Sequence, residues 1–505
     1  MSRKKKNKLA LGPVFTIIIL IFLVILASTI LSLLQVDAEK TQIIKGSLET
    51  SSVTVNNALT KEGIKYFLSN ILTNVQIFKP LVLLIIALIT VSIGEASGLF
   101  KAIFIKLKGI NPRLLTLLVL LLGISGTFIG EYSYIFFLPI IAILYQNIGR
   151  KPLLGILTIF IGITLGYGTG LILNNEEIIL SILTERAASL EVDQDFIYSL
   201  TSNAYVFIVS AIIISTVGMV IIHSVLDKKV PKSTIEEEKE LVISKKAIHY
   251  STLAFIVMLL AVIYMIIPGL RGSGILLGEG SSYVEKLFGS NSPFYEAFTF
   301  IILLMTMVCG FIYGFISKNI KDSNEYSVGL SKNFEDLGYL FVLLFFTAQL
   351  IGLLEWTNLG EIICCGLVNL LSSLSFSALP LMIVFFIAVI VMTVFMPSAE
   401  QKWALASPIL VPLMMQANLT PSFTQLVFRI ADSIGKSITP FFAYFIVMLA
   451  FLEKYNTKEN VKITVFGTLK MILPTILLFA GLWLLIILGW YITGLPTGPG
   501  IYSTF

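Results

Sequence analysis

The chain has 505 residues, 56% of them hydrophobic and 13% charged, with a mean hydropathy of +0.92 and a net charge of +5. A soluble chain of this length would carry about 25% charge, so a soluble globular fold is excluded. The small positive excess sits in short loops and gives no sign of a nucleic-acid surface, and the apolar runs are continuous rather than alternating, which argues against a β-barrel.

An all-α polytopic membrane protein remains. The first run, Val14–Leu34, follows MSRKKKNK and is 21 residues long. It exceeds the ~7–15 apolar residues of a signal peptide and reads as an uncleaved first helix. Residues 35–77 read as a modest outer loop. Further spans are expected near 78–98, 152–172, 204–226, 249–268, 295–317, 337–353, 422–452 and 471–492. The eighth span, 422–452, is long because a break is expected within it. Two more stretches, 114–147 and 380–416, are too long for one crossing. Each is interrupted by small or polar residues, GISGTFIGEYSY in one and MPSAEQKW in the other. That pattern suits a re-entrant hairpin, whose irregular tip is tolerated only under protein or beside a wet cavity.

With the N-terminus in the cytoplasm, 24 Lys and Arg fall on the inner side and 8 on the outer side. That asymmetry is what positive-inside sorting produces. The remaining three, Lys402, Arg429 and Lys436, lie in membrane segments. A shift of 269 residues places Glu131 on Glu400, Tyr134 on Trp403, Pro139 on Pro408, Pro152 on Pro421 and Gly166 on Gly435. The expected architecture is therefore about nine transmembrane helices plus two opposed re-entrant hairpins in an inverted repeat. The N-terminal half is 1–226, a cytoplasmic connector runs over 227–248, and the C-terminal half is 249–505. Inverted repeats with broken helices are typical of secondary transporters.

The chemistry concentrates in FRIADSIGKSITPFFAYF, 428–445. Spacings of three and four put Arg429, Asp432 and Lys436 on one helix face. Each charge costs ~2.5–3.5 kcal/mol in a membrane helix, so it must pair or face a polar cavity. Two readings fit: a self-contained Arg429–Asp432 pair, or a substrate or ion site in which Arg429 meets a carboxylate. Gly435 and Pro440 permit local unwinding. The first copy carries Phe160, Ile163 and Tyr167 instead of charges, then GYGTG and the polar run Asn174, Asn175, Glu176 and Glu177, either a solvated face or part of a transport path. The hairpin tips hold Ser125, Thr127 and Glu131 in one, and Ser398, Glu400, Lys402 and Trp403 in the other. Trp403 suits either an interfacial belt or stacking on an aromatic ligand. Cys309, Cys364 and Cys365 show no metal or disulfide spacing, and no P-loop occurs. No cofactor is expected, and energy would come from an ion gradient.

The stretch SAEQKWALASPILVPLMMQANLTPSFTQLVFRIADSIGKSITPFFAYF resembles the signature region of the AbgT family, the p-aminobenzoyl-glutamate transporters. So do GEASGLFKAI (94–103), RLLTLLVLLLGISG (113–126), GRKPLLGILTIFIG (149–162) and FFTAQLIGLLEWTNLG (345–360). The resemblance implies an inner-membrane homodimer that moves a small organic anion, with proton-driven efflux of antimetabolites in some members. It carries substrate-path roles onto Trp403, Pro421, Arg429, Asp432 and Pro440, and onto Glu176. Thr127, Glu131, Glu400, Gln401 and Lys436 depart from the family pattern. Proton coupling and sodium coupling with a dicarboxylate substrate both remain open. An intramembrane enzyme would want an acid or histidine cluster at a membrane face, and none stands out.

Overall fold

The computed structural model describes residues 11–191, 194–231, 241–280, 282–289, 292–334, 338–456 and 462–505. The basic N-terminal run and part of the 227–248 connector lie outside the described residues. Continuous apolar runs give helices because a helix satisfies its own backbone in lipid. The principal ones are α1 (Pro13–Leu33), α2 (Lys79–Ala96), α3 (Pro112–Gly126), α4 (Tyr132–Asn147), α5 (Pro152–Thr169), α6 (Asn175–Glu191), α7 (Ala204–Ile221) and α8 (Lys245–Ile266). They continue with α9 (Pro293–Ser317), α10 (Gly338–Trp356), α11 (Leu359–Ser372), α12 (Ala378–Phe395), α13 (Ala399–Gln416), α14 (Pro421–Lys436), α15 (Ala443–Lys454) and α16 (Val465–Thr493). Proline opens α1, α3, α5, α9 and α14, where its missing N–H is one the helix would leave unbonded anyway.

Among the described residues, ten helices are long and apolar enough to cross a membrane. Eight match predicted spans. The other two are the first arms of the predicted hairpins, α3 with its 3₁₀ extension to Ile129, and α12. The eighth predicted span is absent from the ten because it breaks as expected. α14 ends at Lys436, residues 437–442 are non-helical, and α15 resumes at Ala443. Pro440 lies in that gap. The 35–77 loop is more structured than expected. Strands β1 (Asp37–Ile44) and β2 (Ser47–Thr54) pair antiparallel, and two short helices follow at Lys61–Ser69 and Ile71–Gln76. Lys45 and Gly46, both at positive φ, make the two-residue turn whose twist suits a hairpin.

The order of elements repeats at the sequence shift. α3, a short tip, α4, α5, a break and α6 correspond to α12, a short tip, α13, α14, a break and α15. The copies interlock: α5 packs on α14, α6 packs on α13, and α15 packs on α4. Every residue of α5 and α14 is buried, so these two helices form the centre. On the periphery, α1, α8 and α16 expose Phe22, Leu26, Leu253, Val257, Leu477 and Leu485, the apolar surface that lipid covers.

Candidate functional site

The core of the site is a charge network strung between the two copies. From α14, Asp432 Oδ1 lies 2.5 Å from Lys402 Nζ on α13, and Asp432 Oδ2 lies 2.9 Å from Lys436 Nζ one turn on. Thr393 on α12 donates its hydroxyl to Asp432 Oδ1 at 3.0 Å, and Lys402 also donates to the Met396 carbonyl at 3.0 Å. Lys436 reaches Glu176 Oε2, at the start of α6, at 3.1 Å. Arg429 pairs with Glu177 rather than Asp432, Nη1 to Oε2 at 2.5 Å, so the self-contained Arg429–Asp432 pair is not formed. Three cations thus face three anions: Lys402, Arg429 and Lys436 against Glu176, Glu177 and Asp432. All but Glu176 are buried; its side chain is 21% exposed. A buried charge needs such partners, since desolvation of an unpaired one is far costlier than the pair.

Neighbouring polar groups orient the network. Glu177 Oε1 accepts from Tyr198 Oη and Gln425 Nε2, both at 3.1 Å. Thr184 donates to Gln425 Oε1 at 2.5 Å, and Trp403 Nε1 donates to Thr184 Oγ1 at 2.9 Å. Trp403 is fully buried, which rules out the interfacial-belt reading, and its ring lies 4.3 Å from that of Phe428. Asn174 accepts from the Glu177 N–H at 3.0 Å and donates to the Thr127 carbonyl at 3.2 Å, tying the start of α6 to the first tip. Gly170, at φ +57°, ends α5 against the guanidinium: a Cβ there would come within 2.7 Å of Arg429 Nη1. Gly435 lets α14 approach α12, where a Cβ would meet the Thr393 side chain at 2.5 Å.

Beside the network lies an aromatic cluster drawn from both copies. Tyr134 packs its ring on Phe160, Phe442 and Tyr444 at centroid distances of 5.7, 5.4 and 5.0 Å, and lies parallel to Tyr167 at 6.3 Å. Phe160, the counterpart of Arg429, meets Phe445 at 6.1 Å. One side of the site is aromatic and the other ionic, each built from both copies. They meet where Lys436 Nζ lies 4.9 Å from the centroid of Tyr167, its counterpart by the 269-residue shift. Among the described residues, Arg429 Nε and Nη2 and the hydroxyls of Tyr134 and Tyr167 are buried without a hydrogen-bond partner.

Of the predicted residues, Asp432, Lys436 and Glu176 come together directly. Arg429, Trp403 and Asn174 join through Glu177, Thr184 and Gln425. Glu131 is exposed and accepts from Tyr444 Oη at 3.0 Å, which places it beside the aromatic half. Pro421 is the first residue of α14, and Pro440 holds the break. Glu400 is exposed in the first turn of α13, on the side away from Lys402. No group of three or more His, Cys, Asp or Glu suited to a metal occurs among the described residues.

A family model for AbgT transporters matches residues 4–505. The chain belongs to the AbgT family. This AbgT chain is 27% identical over 496 residues to the p-aminobenzoyl-glutamate transport protein of Escherichia coli (strain K12), covering 97% of this chain and 94% of that protein. Among solved structures, it is similar to the Alcanivorax borkumensis YdaH transporter, at 21% identity and a TM-score of 0.49, covering 97% of this chain and all of that one. It is also similar to MtrF of Neisseria gonorrhoeae, of a class of antimetabolite efflux pumps, at 25% identity and a TM-score of 0.48, covering 98% of each. The chain is a multi-pass membrane transporter and not an enzyme, as the signature stretch implies.

Sequence reasoning left three members of the network without a role, Thr184, Tyr198 and Gln425, and named Glu177 only as a solvated or path-lining acid with no partner. Gln425 carried a signal, since it stands four residues before Arg429 and so shares its helix face. The others lie on or beyond α6, and nothing in local spacing pairs them with α14.

Proposed function

We propose that this AbgT-family chain moves p-aminobenzoyl-glutamate, or an aromatic carboxylate antimetabolite like it, across the inner membrane by proton-coupled secondary transport. One observation carries the reading: a guanidinium with two unpartnered donors lies in a network beside a cluster of aromatic rings. Arg429 receives a substrate carboxylate through its planar fork, displacing Glu177. The rings around Tyr134 receive the aryl group. Lys402, Asp432 and Lys436 fix the electrostatics of the anion site, and Asp432 or Glu176 exchanges the coupling proton. Asn174 and Glu131 hold the first tip, Trp403 braces the second, and Pro421 and Pro440 bound the helix that unwinds.

In this reading α3–α4 and α12–α13 are re-entrant hairpins entering from opposite faces, and the N-terminus is cytoplasmic. The halves 1–226 and 249–505, joined by the connector 227–248, rock about the fixed site in a homodimer. The E. coli relative's name supports the substrate class. Uptake by proteoliposomes of radiolabelled p-aminobenzoyl-glutamate, sulfonamides and dicarboxylates, with an imposed pH gradient, tests it. Uptake of the first that rises with the gradient and is lost in Arg429→Ala is expected. Uptake unchanged by the substitution would refute the site assignment.

A further inference from the structure

Lys436 occupies the last turn of α14, whose C-terminal end carries a partial negative charge. Its ammonium is enclosed on several sides. Asp432 Oδ2 stands 2.9 Å away from one turn back, Glu176 Oε2 stands 3.1 Å away from α6, and the Tyr167 ring centroid lies at 4.9 Å on α5. The residue is 4% exposed. Two carboxylate oxygens and a ring face, gathered at a helix break, are a setting that holds a small monovalent cation. Here a cation already occupies them, and it is tethered to the backbone.

We propose that the Lys436 ammonium is a built-in substitute for a bound alkali cation, so that this chain neither binds nor needs sodium at its core. The charge balance favours this arrangement. With Lys436 in place, three cations meet three anions in direct contact, and an entering sodium ion would bring a fourth positive charge to carboxylates that already have cationic partners in a largely buried cluster. Replacing Lys436 by alanine reverses the situation. The cluster then carries one excess negative charge, space equal to a lysine side chain, and oxygens from Asp432 and Glu176 facing that space. A sodium ion restores the balance. The first copy offers no second such site, because Tyr167 stands at the corresponding position.

The proposal rests on the transport reading only for its consequence in uptake; ion binding stands alone. Purified full-length chain is assayed for retention of radioactive sodium, and for melting temperature in sodium chloride against choline chloride at equal ionic strength. Wild type and Lys436→Arg should retain no sodium and melt alike in both salts. Lys436→Ala and Lys436→Asn should melt lower in choline, recover in sodium, and bind it saturably, at least about tenfold more tightly than any residual retention by wild type, the equivalent of ~1.4 kcal/mol or more. Adding Glu176→Gln to Lys436→Ala should abolish that gain. Saturable sodium binding by wild type would overturn the proposal, as would folded Lys436 variants indifferent to sodium. If neither neutral variant folds, the wild-type arm decides. In proteoliposomes, wild-type uptake stimulated by a sodium gradient also overturns it. Absence of uptake under every gradient counts against the transport reading instead, and the binding assay still decides this one.

Discussion

Asp432→Asn should be destabilising alone and largely rescued by Lys402→Met. Lys402 is wholly buried, with its ammonium 2.5 Å from Asp432 Oδ1 and 3.0 Å from the Met396 carbonyl. Asparagine at 432 leaves three cations facing two anions, with Lys402 and Lys436 competing for one amide oxygen. Methionine at 402 leaves two cations facing three anions, but Asp432 keeps Lys436 and the Thr393 hydroxyl. Breaking a buried pair from one side costs ~3–5 kcal/mol, so we place Asp432→Asn near the top of that range and Lys402→Met near the bottom. The double variant removes both charges, restores a two-against-two balance and fills the space with an apolar chain of similar length. Its loss should be ~0–2 kcal/mol, giving a coupling of about 6 kcal/mol or more. Reversible unfolding of the four proteins in mixed micelles measures the cycle. Additive losses, within ~0.5 kcal/mol, would refute the claim that these charges form one buried unit.

Three further outcomes follow from the same geometry. Gly170→Ala adds a methyl 2.7 Å from Arg429 Nη1 at φ +57°, a left-handed conformation costing ~1–2 kcal/mol for alanine; uptake should fall further than the melting temperature suggests, because the guanidinium is pushed out of place. Trp403→Phe keeps the ring against Phe428 but removes the hydrogen bond to Thr184; a loss of ~0.5–1.5 kcal/mol is expected in the same unfolding assay. Gln425→Leu removes one of the two donors to Glu177 Oε1, leaving Tyr198, and should cost ~1–3 kcal/mol, whereas Gln425→Glu sets a like charge 3.1 Å from it and should cost more. Equal stability of the two Gln425 variants would show that Glu177 is not held as an anion.

Much of the membrane architecture is legible in the sequence because burial in lipid demands long apolar runs. α1, α8 and α16 announce themselves that way. α11 does not, since its 14 residues span only ~21 Å, short of the hydrocarbon thickness. The first turn of α6 looks like a solvated polar run, NNEE, because its partners Arg429 and Lys436 lie more than 250 residues on. The face shared by Arg429, Asp432 and Lys436 is readable from spacings of three and four. The pairing of Arg429 with Glu177 and of Lys436 with Glu176 is not, because the two copies interlock, whereas Asp432 pairs within its own copy, with Lys402 and with Lys436 one turn on. The repeat shift was the best guide: it placed Tyr167 opposite Lys436, and those two residues touch.

The central claim is that Arg429 reads a carboxylate. Its most direct test compares binding of p-aminobenzoyl-glutamate and of its uncharged diamide to purified wild type and Arg429→Met. Wild type should prefer the acid strongly, and the variant should bind acid and diamide alike. A variant that keeps the full preference for the acid would contradict the account.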